Sequence, residues 1–332
     1  SDRGREPSIH KKLLFSIIML LRVASATPCI ASKKASSSLM RKLKSRKLHR
    51  ALGAPRAISS ESGSLKGLTA FVTGSTDGIG QHTATRLAKE GCNVIIHGRS
   101  KERLQKSIDF IKSRSGNERV QGYIADFESL DQVRRLADEV KKDCKQIDLL
   151  INNAGVFNPK NRKTCDGYET TWQVNVLAPF LLTSKLIPCV EKSEMRRVIM
   201  VSSISQSSSL DFSNLQQEKG YSAHNAYSIS KLADAMIAYE LAERLESKGI
   251  TVNTLDPGTV NTKMLLEGWG ACGISIEDAN DQFWLATSGD VEGVTGKYYV
   301  YRNERRSNSF AYDKENRRKL WEHLCDATGA TY

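Results

Sequence analysis

Paired cysteines are missing from this sequence. Its seven, Cys29, Cys92, Cys144, Cys165, Cys189, Cys272 and Cys325, are odd in number and show no CxxC spacing. That pattern argues against a disulfide framework and against a zinc site. Scattered thiols in a chain this long read as small buried hydrophobes in a reducing compartment. A long apolar run is missing too. Leu13 to Leu21, broken by Ser16, is nine residues. At about 1.5 Å per residue it falls far short of a hydrocarbon core of about 30 Å. No transmembrane span is expected, although peripheral membrane contact stays open. Hydrophobic residues at 39% and charged residues at 26% are a globular balance, which excludes collagen-like, mucin-like and wholly disordered readings.

Acidic residues are absent from positions 27–60. This matters because the net charge is +12 over 332 residues, a value that would otherwise suggest nucleic acid or an anionic membrane as partner. Residues 1–60 hold 14 basic and two acidic side chains, and thus the whole excess. The rest of the chain is neutral. Lys11 and Lys12 before the short apolar run, and Ala24-Ser25-Ala26 after it, have the shape of a signal-type segment. The acid-free, Ser-rich stretch that follows reads as an organellar transit peptide for a mitochondrion or plastid. Residues 38–52 fit a basic helix with Leu39, Leu43, Leu48 and Leu52 roughly on one side. Met19 and Met40 are candidate natural starts. The alternative addresses are the endoplasmic reticulum and the cytoplasm. No aromatic follows Phe15 in this leader, so it lacks the stacking groups of a nucleic-acid binder, and no nucleic-acid partner is expected.

From Leu65 onward, short β-branched runs alternate with helix-like segments. Strands are predicted at Thr69–Thr73, Asn93–His97, Val120–Ala125, Asp148–Asn152, Val198–Ser202 and Thr251–Leu255, with a last one at Gly296–Val300. Helices are predicted at about 79–90, 101–113, 129–144, 167–191 and 224–247. Repeated βαβ units imply an α/β fold: one Rossmann-type, doubly wound parallel sheet with helices on both faces, over residues 65–330.

Thr73-Gly74-Ser75-Thr76-Asp77-Gly78-Ile79-Gly80 follows the first strand and opens the first helix. Glycines here let the backbone turn tightly and approach a pyrophosphate, while the helix N-terminus offers N–H groups and positive dipole. After the second strand comes His97-Gly98-Arg99. A carboxylate there would hold a ribose 2′-hydroxyl and favour NAD, whereas the guanidinium suits a 2′-phosphate. The expected cofactor is NADP, with NAD as the alternative.

Tyr227 and Lys231 lie at i and i+4 on a predicted helix and share one face. A nearby ammonium favours phenolate, so Lys231 is expected to lower the Tyr227 pKa towards the range of a general acid/base. Val201-Ser202-Ser203 ends a strand upstream. Asn152-Asn153-Ala154-Gly155 ends another, Asn175 sits in the helix after it, and Pro257-Gly258 and Thr262 follow the sixth strand.

Taken together, the phosphate turn, NNAG, the SS-plus-YxxxK pair and the PG turn resemble the short-chain dehydrogenase/reductase family over roughly residues 65–330. The segment 210–234 and the chain end (Thr295 to Tyr299 and Lys319 to Glu322) resemble its retinol-dehydrogenase-like branch. The resemblance implies catalytic roles for Asn175, Ser203, Tyr227 and Lys231. Tyr227 would be the acid/base, Lys231 its pKa partner and ribose anchor, and Ser203 the bond to the substrate oxygen. Asn175 would support a water linking Lys231 to solvent. It also implies that Gly74, Ser75, Gly78, Ile79 and Gly80 cradle phosphates and that Arg99 meets the 2′-phosphate. Asp126 would bond the adenine, Asn153 would lie against the adenosine ribose, and Pro257, Gly258 and Thr262 would flank the nicotinamide. No metal is implied, and a homo-oligomer is. Two departures stand out. Asp77 occupies a position where many NADP users carry a basic residue, and Asp256 replaces the His that often precedes the PG turn. A lid is expected between Thr262 and Gln282, with Met264, Leu265, Leu266, Trp269 and Ile274 either meeting a lipophilic alcohol or carbonyl or packing on the body. The implied activity is hydride transfer between NADP and such a substrate (retinoid-, steroid- or lipid-aldehyde-like). The alternative is a cofactor-binding redox sensor of an organellar complex with little turnover.

Overall fold

The first apolar run of the neutral region becomes the middle of an eight-stranded sheet. A computed structural model describes residues 65–332; the targeting leader expected over residues 1–60 lies outside the described residues. The elements in chain order are β1 (Thr69–Val72), α1 (Gly78–Lys89), β2 (Asn93–Gly98), α2 (Lys101–Ser115), β3 (Val120–Ile124), α3 (Leu130–Asp143) and β4 (Leu149–Asn152). There follow α4 (Thr170–Val190), β5 (Arg197–Val201), α5 (Ala223–Arg244), β6 (Thr251–Asp256), α6 (Lys263–Gly268), α7 (Asp281–Thr287), β7 (Tyr298–Val300), β8 (Asn303–Arg305) and α8 (Lys314–Thr328). The strand order is β3-β2-β1-β4-β5-β6-β7-β8. Every pairing up to β6–β7 is parallel.

Side-chain alternation along the strands divides the core into two layers. Phe71, Ile95, Leu150, Val198 and Val252 face α3, α4 and α5. Val72, Ile96, Ile151, Ile199 and Leu255 face α1, α2 and α7. Both faces are covered, so the strands read as continuous apolar runs. Helix α4 is long and apolar enough to cross a bilayer, yet 89% of its most apolar stretch is buried inside this body. Its composition is that of a core helix.

Helix α4 widens by one residue at Gln173–Leu177, where the Ala178 N–H reaches back to the Gln173 carbonyl. Pro179 explains the position. It has no N–H to offer Asn175, and its ring would press on the Asn175 carbonyl in a regular turn. The widened turn therefore sits at a residue singled out by the sequence.

Two elements depart from the expected pattern. The sheet does not end at Val300: β7 turns back into antiparallel β8. The turn runs through Tyr301 and Arg302, at φ 49° and 61°. A two-residue hairpin turn favours Gly or Asn at such angles, so the sequence carries no turn signal here. Helix α8 is the other. Its Arg317, buried to 4% exposure, bridges Glu240 and Glu243 of α5. Trp321 meets Phe180 edge-on at 5.0 Å, and Leu324 is fully buried. Leu324→Ala removes a side chain from this closed joint, with an expected loss of about 2–5 kcal/mol, read as a lowered urea midpoint at constant m-value.

Candidate active site

The C-terminal ends of β1, β4, β5 and β6 open on one edge of the sheet. There the chain steps from β3 on one side of β1 to β4 on the other, the crevice where doubly wound sheets bind ligands. Each cluster of residues singled out in the sequence lies at this edge.

The turn after β1 is braced from three sides. Gly74 has φ 62°, and a Cβ there would come within 2.7 Å of the Ala154 Cα. The Gly74 N–H donates to His97 Nδ1 at 3.2 Å, which leaves Nε2–H to donate to the Ala125 carbonyl at 3.0 Å. His97 stacks on Phe127 with centroids 4.3 Å apart, and burial pulls its pKa down to about 4. It is a neutral strut, and nothing in the sequence beyond its place at a strand end marks it. Asn153 donates its amide to the Thr73 and Gly74 carbonyls at 2.8 and 3.1 Å. Its side chain is therefore committed to the turn, where a ribose contact was expected. Ser75 is also fully buried, its hydroxyl bonded to Val72 O at 2.6 Å, so it shapes the turn from within. A Cβ on Gly80 would lie 2.4 Å from Asn153 Nδ2 and 2.6 Å from Gly74 O. Helix α1 has no acid in its first turn, and Gly78 and Ile79 open it. This is a close-approach helix N-terminus of the kind that accepts phosphate.

Beside it, Arg99 is 59% exposed and pairs with Glu128 at 3.3 Å. Glu128 also holds Arg162. A phosphate on Arg99 would compete with that carboxylate. Asp126 accepts from the Glu128 N–H at 3.0 Å and forms the turn after β3. Asp77 caps α1 and pairs with Arg103 of α2 and Lys263 of α6. Its acid is thus already neutralised by two cations at the cradle.

At the centre, Lys231 is 5% exposed and donates to the Val201 carbonyl and to Asp234 Oδ2, both at 2.9 Å. Burial works against its ammonium, but Asp234 and Tyr227 outweigh it and raise the pKa. Burial pushes Asp234 up to about 6 against the pull of Lys231. Asp234 was not singled out in the sequence, although its i+3 spacing from Lys231 is a pairing signal. Lys231 Nζ lies 5.7 Å from the Tyr227 ring centroid. Burial raises the Tyr227 pKa, Lys231 opposes it without overcoming it, and Asp256 adds to the rise. This corrects the expected lowering: in this environment the phenol is held protonated.

Asn175 is buried and locked. Its Oδ1 accepts from the Val156 N–H at 2.7 Å, and its amide donates to Val156 O at 3.1 Å and Ser230 Oγ at 2.9 Å. Its Oδ1 and Lys231 Nζ flank Gly155, each within 3.6 Å of where a Cβ would stand. Ser202 donates to the Lys231 carbonyl at 2.6 Å, which ties β5 to α5. Ser203, 9% exposed, accepts the Ser205 N–H on its hydroxyl oxygen at 3.1 Å and favours the ionised forms of Tyr227 and Asp256. Gly258, at φ 91°, follows Pro257 and donates its N–H to Asp256. Thr262 caps α6 and bears on Gly78.

The lid carries an aromatic lining. Trp269 lies 5.4 Å from the Tyr227 ring, 4.9 Å from Phe157 and 5.0 Å from His224. Leu266 and Ile274 stand 48% and 46% exposed, while Met264 and Leu265 are half-buried. The two readings of the lid therefore divide by residue: Trp269 covers the tyrosine, and Leu266 and Ile274 face outward.

Comparison with known proteins bears on the family and the fold. The family model for short chain dehydrogenases matches residues 68–269. A human polyprenol dehydrogenase is 34% identical, over 78% of this chain and 84% of its own. Mouse retinol dehydrogenase 14 is 33% identical, over 78% of this chain and 85% of its own. Among solved structures, a Mycobacterium paratuberculosis protein superposes with a TM-score of 0.65 at 26% identity, covering 81% of this chain and 97% of its own. A Shigella flexneri short chain dehydrogenase complexed with NADP superposes with a TM-score of 0.60 at 26% identity, covering 72% and 98%.

The Lys231–Asp234 pair makes a direct prediction. Asp234→Leu strands a buried ammonium and is expected to lower unfolding free energy by about 3–5 kcal/mol. Asp234→Asn keeps an acceptor and costs less. Urea unfolding of both variants reads the difference.

Proposed function

This chain belongs to the short-chain dehydrogenase family, and on that premise we propose that it is an NADP-dependent oxidoreductase acting on a lipophilic alcohol or carbonyl. The observation that carries this reading is the convergence of Tyr227, Ser203 and Lys231 beneath an aromatic lid at the sheet edge. The redox-sensor alternative is not favoured, because the relatives are named as dehydrogenases and the full reactive set is present.

Gly74, Gly78, Ile79 and Gly80 would take the cofactor phosphates, with Ser75 and Asn153 shaping the turn from behind. Arg99 would take the 2′-phosphate by leaving Glu128. Asp126 would border the adenine, and Pro257, Gly258 and Thr262 the nicotinamide. When bound, the nicotinamide supplies or takes the hydride. Ser203 orients the substrate oxygen. The Tyr227 hydroxyl gives that oxygen its proton in reduction and takes it back in oxidation. Lys231, fixed by Val201 and Asp234, keeps positive charge beside the phenol as it ionises. Asn175 holds the Val156 backbone and Ser230 in place around Lys231. Trp269 and Phe157 exclude water from the phenol, which strengthens each of these interactions.

The substrate class follows from the lid and from the names of the relatives, polyprenol and retinol dehydrogenases. An elongated isoprenoid alcohol or aldehyde fits an aromatic lining with Leu266 and Ile274 at its outer rim. Such substrates partition into membranes, which accords with peripheral membrane contact and with an address at the endoplasmic reticulum. The organellar address read from the leader gains no support from the relatives. Nucleic acid has no place in this reading, and a homo-oligomer remains part of the proposal from family membership.

Tyr227→Phe is expected to lower retinal reduction by about 10²–10⁴-fold while NADPH fluorescence still reports binding; persistent turnover would overturn the assignment. Arg99→Ser is expected to weaken NADPH binding about tenfold or more and leave NADH binding unchanged, as read by fluorescence titration.

A further inference from the structure

Gln206 lies three residues past Ser203, in the loop that leaves β5, and neither the phosphate cradle nor the hydride chemistry needs it. Its amide is nonetheless committed on both sides. Oε1 accepts the Asn308 N–H at 3.1 Å, and Nε2 donates to Ser202 Oγ at 3.1 Å. A backbone N–H can only donate, so Oε1 must face Asn308 and Nε2 is turned to Ser202. The Ser202 oxygen takes that proton, and its own goes to the Lys231 carbonyl at 2.6 Å. The direction of all three bonds is therefore set at Asn308, 102 residues along the chain from Gln206.

Asn308 is itself held from α5. The Tyr239 hydroxyl donates to Ser307 Oγ at 2.8 Å, the Ser307 N–H donates to the Tyr312 hydroxyl oxygen at 3.0 Å, and the two tyrosine rings stack with centroids 4.9 Å apart. Tyr239 sits about two turns past Lys231 on the same helix. These contacts close a circuit. It leaves α5 at Tyr239, runs through Ser307 and Asn308, crosses Gln206 and Ser202, and returns to α5 at Lys231. The Lys231 ammonium is tied to Val201 and Asp234, within β5 and α5. Its main chain, by contrast, is tied through Ser202 to the segment after β8.

We propose that Gln206 is a positioning residue for hydride transfer. By fixing where the Ser202 proton points, it holds the Lys231 main chain against the end of β5 and makes that hold depend on Ser307 and Asn308. This inference rests on the proposed roles of Tyr227, Ser203 and Lys231. Without the Gln206 amide, the Ser202 oxygen has no donor and its hydroxyl is free to turn away from Lys231. Ser202 is 1% exposed, so water does not replace the lost group. The ammonium keeps its partners, but α5 loses its main-chain tie to the sheet. Tyr227, one turn earlier on α5, then loses its fixed distance from Ser203. Misplacing a reacting group slows the chemical step more than it weakens binding.

The test is a double-mutant cycle on retinal reduction by the full chain with saturating NADPH. Gln206→Leu removes both amide bonds. Asn308→Pro is compared with Asn308→Ala: both lose the side chain that caps Phe310, but only proline loses the N–H. Asn308 has φ −55°, an angle that proline adopts. Gln206→Leu against wild type, and Asn308→Pro against Asn308→Ala, are each expected to lower kcat about tenfold, the scale of one net hydrogen bond, with the retinal KM changed by less than about twofold. Combined, the two changes are expected to cost no more than either, because they break one line. Gln206→Glu keeps the shape and the Asn308 bond but has no amide proton, so it is expected to lose as much as Gln206→Leu; a residue that only fills space would tolerate it. Wild-type kcat in Gln206→Leu or Gln206→Glu, or losses that multiply in the double variant, overturns the inference. If a Gln206 variant does not fold, the Asn308 comparison carries the same threshold. Hydrogen exchange at the Asn308 amide, read by mass spectrometry, needs no turnover. Gln206→Leu is expected to speed it about tenfold, and an unchanged rate overturns the inference too. Tyr227→Phe is the control: if it retains turnover, the functional reading itself has failed, and the exchange rates still judge the tie.

Discussion

The buried ammonium of Lys231 is the constraint around which the rest is built. An ion at 5% exposure survives only where its partners replace the water it has lost. Two do so: the Val201 carbonyl at the end of β5 and Asp234 one turn along α5. That need fixes how far α5 stands from the sheet. Ser202 reinforces the distance by bonding the Lys231 carbonyl, and Asn175 does so by reaching Ser230 from the widened turn of α4. Tyr227, one turn before Lys231, is thereby set beside Ser203. The placement of Tyr227 beside Ser203 thus follows from satisfying a charge.

The same economy of contacts appears at the phosphate turn. His97, Asn153 and Ser75 direct their polar groups inwards, towards backbone atoms of the turn. What they leave for a ligand is backbone: the N-terminal turn of α1, with no Cβ at Gly78 or Gly80. Pyrophosphate recognition of this kind depends on shape and dipole. Asn153 and Ser75, expected to touch a cofactor, instead commit their side chains to the backbone of the turn.

Much of this was legible in the sequence because strand periodicity and glycine spacing are local signals. The seven parallel strands, the turn at Gly74–Gly80 and the Tyr227–Lys231 face all follow from neighbouring residues. What was not legible depends on residues far apart in sequence. Hairpin β7–β8 turns on Tyr301 and Arg302 without a turn-forming residue. Helix α8 is held by α5 through Arg317, Glu240 and Glu243. The brace of His97 on Gly74 spans two strands. The Tyr227 pKa lies on the opposite side of its ordinary value from the expectation because burial and the carboxylates of Asp256 and Asp234 outweigh Lys231. A spacing rule identifies a partner and leaves the rest of the environment open. The charge of +12 is a related case, since it belongs to residues 1–60 and says nothing of this site.

The central claim is hydride transfer at a carbon whose oxygen is held by Tyr227 and Ser203. Its most direct test follows the transferred atom. NADPH carrying deuterium on the reactive nicotinamide carbon is incubated with the full chain and all-trans-retinal, and the product is examined by mass spectrometry. The account predicts retinol bearing one deuterium on its carbinol carbon. Retinal recovered unchanged, or retinol without the label from either face of the nicotinamide, would contradict it.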